Sequence, residues 1–207
     1  MNEVKNECFV CGTVTENPVH YTTLLGEKFY QTYISVKRKS NKDDLVPVRV
    51  SERADGFNNL RAGDFLYIKG TIRSFNEKSE SHTKLQIYLF ADFMYPIEEN
   101  QVGSCETNSF SFCGTICKQP SFRRTPNGFQ IADVILAVNG SKRSFYIPSI
   151  LFGRNAKYLS EQKIGTKLNV VGRFQSREYE KQNGNSKVVK TAFELALTAF
   201  EIVDDKN

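Results

Sequence analysis

Two adjacent arginines, Arg123 and Arg124, stand just ahead of Pro126-Asn127-Gly128. Pro-Asn-Gly between two alternating stretches marks a turn, because Asn and Gly tolerate positive φ. Paired guanidiniums beside such a turn either solvate it or take phosphate oxygens. A second cationic finger runs Arg177-Glu178-Tyr179-Glu180-Lys181-Gln182-Asn183-Gly184-Asn185-Ser186-Lys187 and turns at Asn-Gly. Tyr179 stands among charges, where an exposed ring needs a purpose, and that favours a binding role. Phe152, beside Gly153-Arg154 at a strand end, either caps a core or faces outward. Tyr146, after Lys142-Arg143, either packs on a neighbouring strand or is free to stack. Rings interleaved with cations suit a polyanion with stackable faces.

Other chemistries find less support. Cys8-x2-Cys11 and Cys113-x3-Cys117 have spacings that invite zinc. On a strand, however, Cys8 and Cys11 point to opposite faces, and no further Cys or His completes a tetrahedral set. Five cysteines without an export signal read as reduced, buried thiols, with no metal and no cofactor. His20 and His82 lack nucleophilic or acidic company and read as surface residues. With no phosphate-cradling glycine loop and no carboxylate cluster for a metal-dependent nuclease, a non-enzyme is expected.

The elements that would hold these residues repeat. Cys11-Gly12-Thr13-Val14 falls on Cys113-Gly114-Thr115-Ile116 at an offset of 102, and Pro18 falls on Pro120. Gly26, Gly63 and Gly70 meet Gly128, Gly165 and Gly172 at the same offset, whereas Pro47 meets Pro148 at 101. A register held over this length, with glycines at its pivots, is a tandem duplication. In each copy, period-two alternation predicts five strands. The first copy has them near Cys8–Val14, Tyr30–Lys37, Val46–Val50, Phe65–Ile72 and Lys84–Phe93, with a helix-like segment at Ser51–Leu60. The second has them near Phe110–Ile116, Ile131–Val138, Ser144–Leu151, Lys167–Phe174 and Lys190–Ile202, with a short helix near Arg154–Ser160. Glycine amid the alternating Leu66–Ile72 and Leu168–Phe174 runs suggests a sharp barrel bend. The fold class expected is all-β. It comprises two tandem five-stranded Greek-key barrels of the OB type, each with one short helix between strands 3 and 4. The domains expected are 1–97, a linker at 98–108, and 109–203.

A chain of 207 residues, 40% apolar and 25% charged, can fill two such cores. Its net charge is +5, but residues 1–104 carry 13 Lys+Arg against 14 Asp+Glu, and residues 105–207 carry 15 against 9. The cationic excess expected for a nucleic-acid partner lies wholly in the second copy. No apolar run reaches the roughly 18–20 residues of a membrane span, and Met-Asn-Glu-Val-Lys-Asn-Glu is no secretory signal. A cytoplasmic protein with no membrane partner is expected.

The second copy resembles the bacterial single-stranded-DNA-binding protein family. The resemblance rests on Gly114, Pro120–Gly128, Leu136-Ala137-Val138, Leu151–Ala156, Lys163-Ile164-Gly165 and Val171–Tyr179, in order across nearly the whole domain. It implies sequence-tolerant binding of single-stranded DNA in replication, recombination or repair. Stacking rings would be Tyr146, Phe152 and Tyr179, and basic residues Arg123, Arg154, Arg173 and Arg177. Arg124, Lys181 and Lys187 join them from the two cationic turns. The DNA-or-RNA choice stays open, because stacking and backbone contacts do not read the 2′-OH. The family's usual four barrels imply a homodimer of two-barrel chains.

The first copy keeps the glycine framework but departs on its surface. Leu45, Val50 and Glu77 stand where the offsets place Tyr146, Phe152 and Tyr179, and Tyr21-Thr22-Thr23 replaces Arg123-Arg124-Thr125. Phe75 and Tyr33 are candidates for binding in another register. The expectation is a degenerate binding surface and a role in assembly or protein contact. The alternative for the whole chain is an OB-fold adaptor, in replication restart or on a mobile element, with weak or no DNA binding. The chain stops at Asp204-Asp205-Lys206-Asn207, without the acidic-hydrophobic tip by which the family recruits partners, so that route is not expected.

Overall fold

The computed structural model describes residues 4–38, 40, 42–78, 83–98, 107–140, 143–183 and 186–203. The first copy forms β1 (Glu7–Val14), β2 (Val19–Leu24), β3 (Glu27–Lys37), β4 (Asp43–Asp55), β5 (Phe65–Lys78) and β6 (Thr83–Pro96). The second forms β7 (Asn108–Ile116), β8 (Ser121–Arg124), β9 (Gln130–Asn139), β10 (Ser144–Phe152), helix α1 (Asn155–Ser160), β11 (Lys167–Asn183) and β12 (Ser186–Ile202).

Each copy closes on itself. The first strand pairs antiparallel both with β5 and with β3, and β4 runs parallel to β6. In the second copy β7 pairs with β11 and β9, and β10 runs parallel to β12. This is the OB strand order in both halves. Alternation sets the cores: on β7, Phe110, Phe112, Gly114 and Ile116 point inward while their neighbours are half-buried.

Two details differ from the sequence reading. Each barrel carries a sixth, short strand, β2 or β8, which is the outer arm of the hairpin leading into β3 or β9. The helix expected over Ser51–Leu60 is only a single 3-10 turn, Phe57–Asn59, because Ser51–Asp55 continue β4. Gly56 enters that turn at φ 88, and a Cβ there would lie 2.0 Å from Met94 O. A left-handed residue in so close an approach breaks any helix.

The mid-strand glycines do mark bends. β5 and β11 both carry a β-bulge, at Lys69/Gly70 and Val171/Gly172, where the opposing backbone approaches too closely for a side chain.

The barrels are joined by strand pairing: β1 runs antiparallel to β7, with Glu7 opposite Ser111 and Val10 opposite Asn108, giving one twelve-stranded sheet. Repeated contacts follow the duplication. Asn6 clamps the Ile72 backbone at 2.9 and 3.0 Å, and Asn108 clamps that of Phe174 at 2.9 and 2.8 Å. Across the barrels, Leu45 N–H donates to Ser176 Oγ at 2.8 Å and Tyr146 N–H to Ser74 Oγ at 3.0 Å. Of the expected linker, residues 99–106 lie outside the described residues, and Asn108 opens β7.

Candidate nucleic-acid interface

The outer face of the second barrel follows from register, since residues directly opposite one another point to the same side of a sheet. On β10, Tyr146, Pro148, Ile150 and Phe152 alternate outward, opposite Ala137, Ile135, Asp133 and Ile131 of β9. Arg123 lies opposite Ile131 on β8. Ile150 pairs with Ala196 of β12, which lies opposite Arg173 of β11. Two-residue steps along β11 then bring Gln175, Arg177 and Tyr179 to the same side. Six of the expected site residues therefore share one face: Tyr146, Phe152, Tyr179, Arg123, Arg173 and Arg177. Beneath them Ile131, Ile150 and Ala196 form a small apolar floor.

Phe152 is 44% exposed and Tyr146 is 50% exposed, so neither ring caps the core. Tyr179 is half-buried, with the Arg177 guanidinium 5.9 Å from its ring centroid. A groove of about 300 Å³ crosses the face, lined in part by Lys118, Ser121, Asp133, Pro148 and Glu194.

The cations mostly arrive with partners. Arg123 donates to both Asp133 oxygens, at 2.8 and 3.3 Å, and this hydrogen bonding holds its guanidinium above the usual range. Arg177 Nε lies 3.6 Å from Glu194 Oε1, and Lys187 Nζ lies 2.8 Å from Glu180. Arg173 reaches away from the groove to Asp44 of the first barrel. Arg124 and Arg154 are exposed and have no ion-pair partner among the described residues. Arg124 lies on the opposite side of β8 from Arg123, and Arg154 precedes α1. Lys181 lies on β11, with its side chain outside the described residues. A phosphate taken by Arg123 or Arg177 has to exchange with Asp133 or Glu194.

Other exposed rings escaped the sequence reading. Phe129 is 65% exposed directly after Gly128, Phe122 lies on β8, and Tyr158 of α1 stacks on Phe200 with centroids 5.9 Å apart. Phe129 had a signal, since a hairpin tip reaches no core.

The first barrel needs one correction. Phe152 and Val50 do not correspond, because Val50 is fully buried and Ser51 is the residue opposite Phe29, as Phe152 is opposite Ile131. The second copy has one residue fewer before Pro148, which shifts the offset to 101, and a slip of one flips the face. Ser51 stacks no better than valine. The barrel nonetheless carries rings on this side, including Tyr21, Phe75 and Tyr88, gathered around Arg49.

Cys8 and Cys11 are buried as expected, whereas Cys113 is half-buried and Cys117 exposed, because Cys117 lies just past the end of β7. Among the described residues no cluster of His, Cys, Asp and Glu has metal-site geometry. His20 is exposed, and His82 lies outside the described residues. No described helix is long and apolar enough to cross a membrane.

The family comparison falls on the second barrel. Residues 107–202 match the model of the family described as "Single-strand binding protein family". Single-stranded DNA-binding protein 1 of Staphylococcus aureus (strain COL) is 32% identical over 111 residues, covering 48% of this chain and 63% of that protein. Single-stranded DNA-binding protein 2 of Staphylococcus aureus (strain Mu50) is 30% identical over 105 residues, covering 45% of this chain and 70% of that protein. The chain thus spans less than two thirds of the first of these relatives. The wild-type single-stranded DNA binding protein from Thermus aquaticus superposes over 100% of this chain and 96% of its own, with a TM-score of 0.75 and 19% identity. That likeness establishes the two-barrel fold.

Proposed function

The chain belongs to the single-strand binding protein family, and from that premise we propose that it binds single-stranded DNA without reading its sequence. Bases stack on Tyr146, Phe152 and Tyr179, and phosphates follow Arg123, Arg124, Arg154 and Arg177, with Lys181 and Lys187 on the finger. The observation carrying this reading is the shared outer face: three rings, two of them 44% and 50% exposed, lie on one sheet with cations at its margin. Stacking is worth roughly 1–3 kcal/mol per base and tolerates every base, because each presents a π-face. Arg173, held by Asp44, contributes least to the strand.

The protein acts by binding and performs no chemistry on the strand. It would work in the cytoplasm beside the nucleoid, in replication, recombination or repair. Stacking and backbone contacts do not require reading a 2′-OH, so an RNA strand should compete. Residues 1–97 and 109–203 act as two OB units, with the principal surface on the second. Two chains pair to restore four barrels. The half-exposed rings Tyr67 of β5 and Tyr95 of β6, stacked with centroids 5.0 Å apart, support that pairing.

Competition separates this reading from general polyanion binding. Unlabelled oligo-dT should displace a labelled oligo-dT at far lower concentration than duplex DNA of equal charge. Equal displacement by the duplex would sink it.

A further inference from the structure

Arg49, on β4 of the first barrel, is 5% exposed. Its guanidinium carbon lies 3.6 Å from the Tyr21 ring centroid, 3.8 Å from that of Phe75 and 4.4 Å from that of Tyr88. Nε donates to Gln31 Oε1 at 3.2 Å, and no carboxylate among the described residues pairs with the charge. With three ring centroids within 4.4 Å of the guanidinium carbon, the N–H groups left over are what it can offer a ligand. A cation withdrawn from water without a counter-anion is costly, and this fork of donors matches a phosphate.

Arg49 borders a pocket of about 180 Å³ to which both barrels contribute. Phe193 of β12 reaches across and stacks on Tyr33 of β3, with centroids 6.0 Å apart and an interplanar angle of 27°. Burial, then Glu16 and Glu77, push the Tyr33 phenol up, so it stays neutral and able to donate. Glu77 lies exposed on the pocket wall and accepts from Gln86 Nε2 at 2.8 Å.

We propose that this seam pocket binds a phosphodiester of the single strand, with Arg49 on the phosphate and the neighbouring base on the Tyr33–Phe193 pair. The proposal rests on the single-strand reading above. It lies apart from the second barrel's groove, and of the first barrel's equivalents of that groove's rings, Leu45, Ser51 and Glu77, Glu77 alone lines it. Glu77 tempers the site, since its charge opposes the phosphate.

The test uses the whole chain and two oligo-dT lengths, about 8 and about 35 nucleotides, chosen to cover one barrel or to extend past it. Arg49→Gln should weaken the long oligomer about tenfold, the loss of one charge-assisted contact, and leave the short one unchanged. Because Arg49→Gln disturbs a buried residue, Glu77→Gln at an exposed position provides the second arm. It should tighten the long oligomer about two- to threefold by removing one repulsive charge. Ultraviolet cross-linking of the long oligomer to the unmodified chain should yield adducts on the peptides bearing Tyr33 or Phe193. The proposal is overturned if Glu77→Gln leaves long-oligomer affinity unchanged and adducts avoid both peptides. If the unmodified chain binds neither oligomer, the single-strand reading has failed, and the seam pocket falls with it.

Discussion

Arg173 Nη1 lies 2.9 Å from Asp44 Oδ2, across the boundary between the two barrels. Asp44 is 1% exposed and is also held by Arg38 and by the Ser176 N–H at 2.8 Å. Its counterpart in the duplication is Phe145, faced by Arg143 at 5.1 Å and Arg73 at 5.9 Å. The seam is thus ionic at one end and cation–π at the other. Removing one partner from a buried ionic cluster leaves the others uncompensated. Asp44→Asn should therefore lower stability by on the order of 2–4 kcal/mol in urea denaturation. A change within 0.5 kcal/mol would show that the seam is held elsewhere.

Asp133 and Glu194 occupy the cations that phosphate would use, at 2.8 Å from Arg123 and 3.6 Å from Arg177. Both pairs are solvent-accessible, so their own contribution to stability is small. Asp133→Asn and Glu194→Gln should each leave the melting temperature nearly unchanged and tighten oligo-dT binding. They should also steepen the fall of log K with log[salt], because each freed arginine can neutralise a phosphate. Unchanged affinity would place the strand off this side of the face.

Gly70 and Gly172 sit at equivalent bulges, where a Cβ would lie 2.0 Å from Phe90 O and 2.2 Å from Ala196 O. Both obstacles are backbone, which cannot rotate away. Gly172→Ala and Gly70→Ala should each cost about 3 kcal/mol or more, whereas Gly63→Ala, with open space and only a strained φ of 91°, should cost about 1 kcal/mol. Thermal unfolding of the three variants checks the order.

Burial pushes the Cys8 thiol well above its ordinary range, while Cys117 is exposed. Alkylation of the native protein at pH 8 should label Cys117 before Cys8, which reacts only on unfolding. Raising a thiol's folded pKa means that the folded chain keeps a proton which the unfolded chain loses. The Cys8 contribution to stability is therefore full below roughly pH 8.5 and declines as pH rises further. Cys8→Ala should flatten that alkaline decline in a denaturation series.

Much of the fold was legible because glycines and period-two alternation are backbone facts. The bulges at Gly70 and Gly172, the inward set on β7 and the turn at Gly128 all follow from them. The helix expected over Ser51–Leu60 shrinks to one turn because Ser51–Asp55 continues β4, held by pairing to β3 and β6 that no local pattern encodes. The face that carries Tyr146 and Phe152 was readable once strand register was assumed. What could not be read was the pairing of charges across strands and barrels. Arg123 with Asp133 is a ten-residue separation and Arg173 with Asp44 one of 129, and no local pattern encodes either. The Arg49 ring cage was hidden for the same reason: its rings come from three different strands.

The central claim is that rings on the outer face of β10 carry single-strand binding. It is tested most directly by titrating the whole chain with oligo-dT, following tyrosine fluorescence (the chain has no tryptophan), in parallel with Phe152→Ala. Phe152 is exposed, so its removal should spare the fold. The unmodified chain should be quenched by oligo-dT and little by duplex, with affinity falling as salt rises. Phe152→Ala should lose on the order of tenfold in affinity at every salt concentration, since stacking is worth roughly 1–3 kcal/mol and is not screened. Equal affinity of the variant and the unmodified chain for oligo-dT would contradict the account.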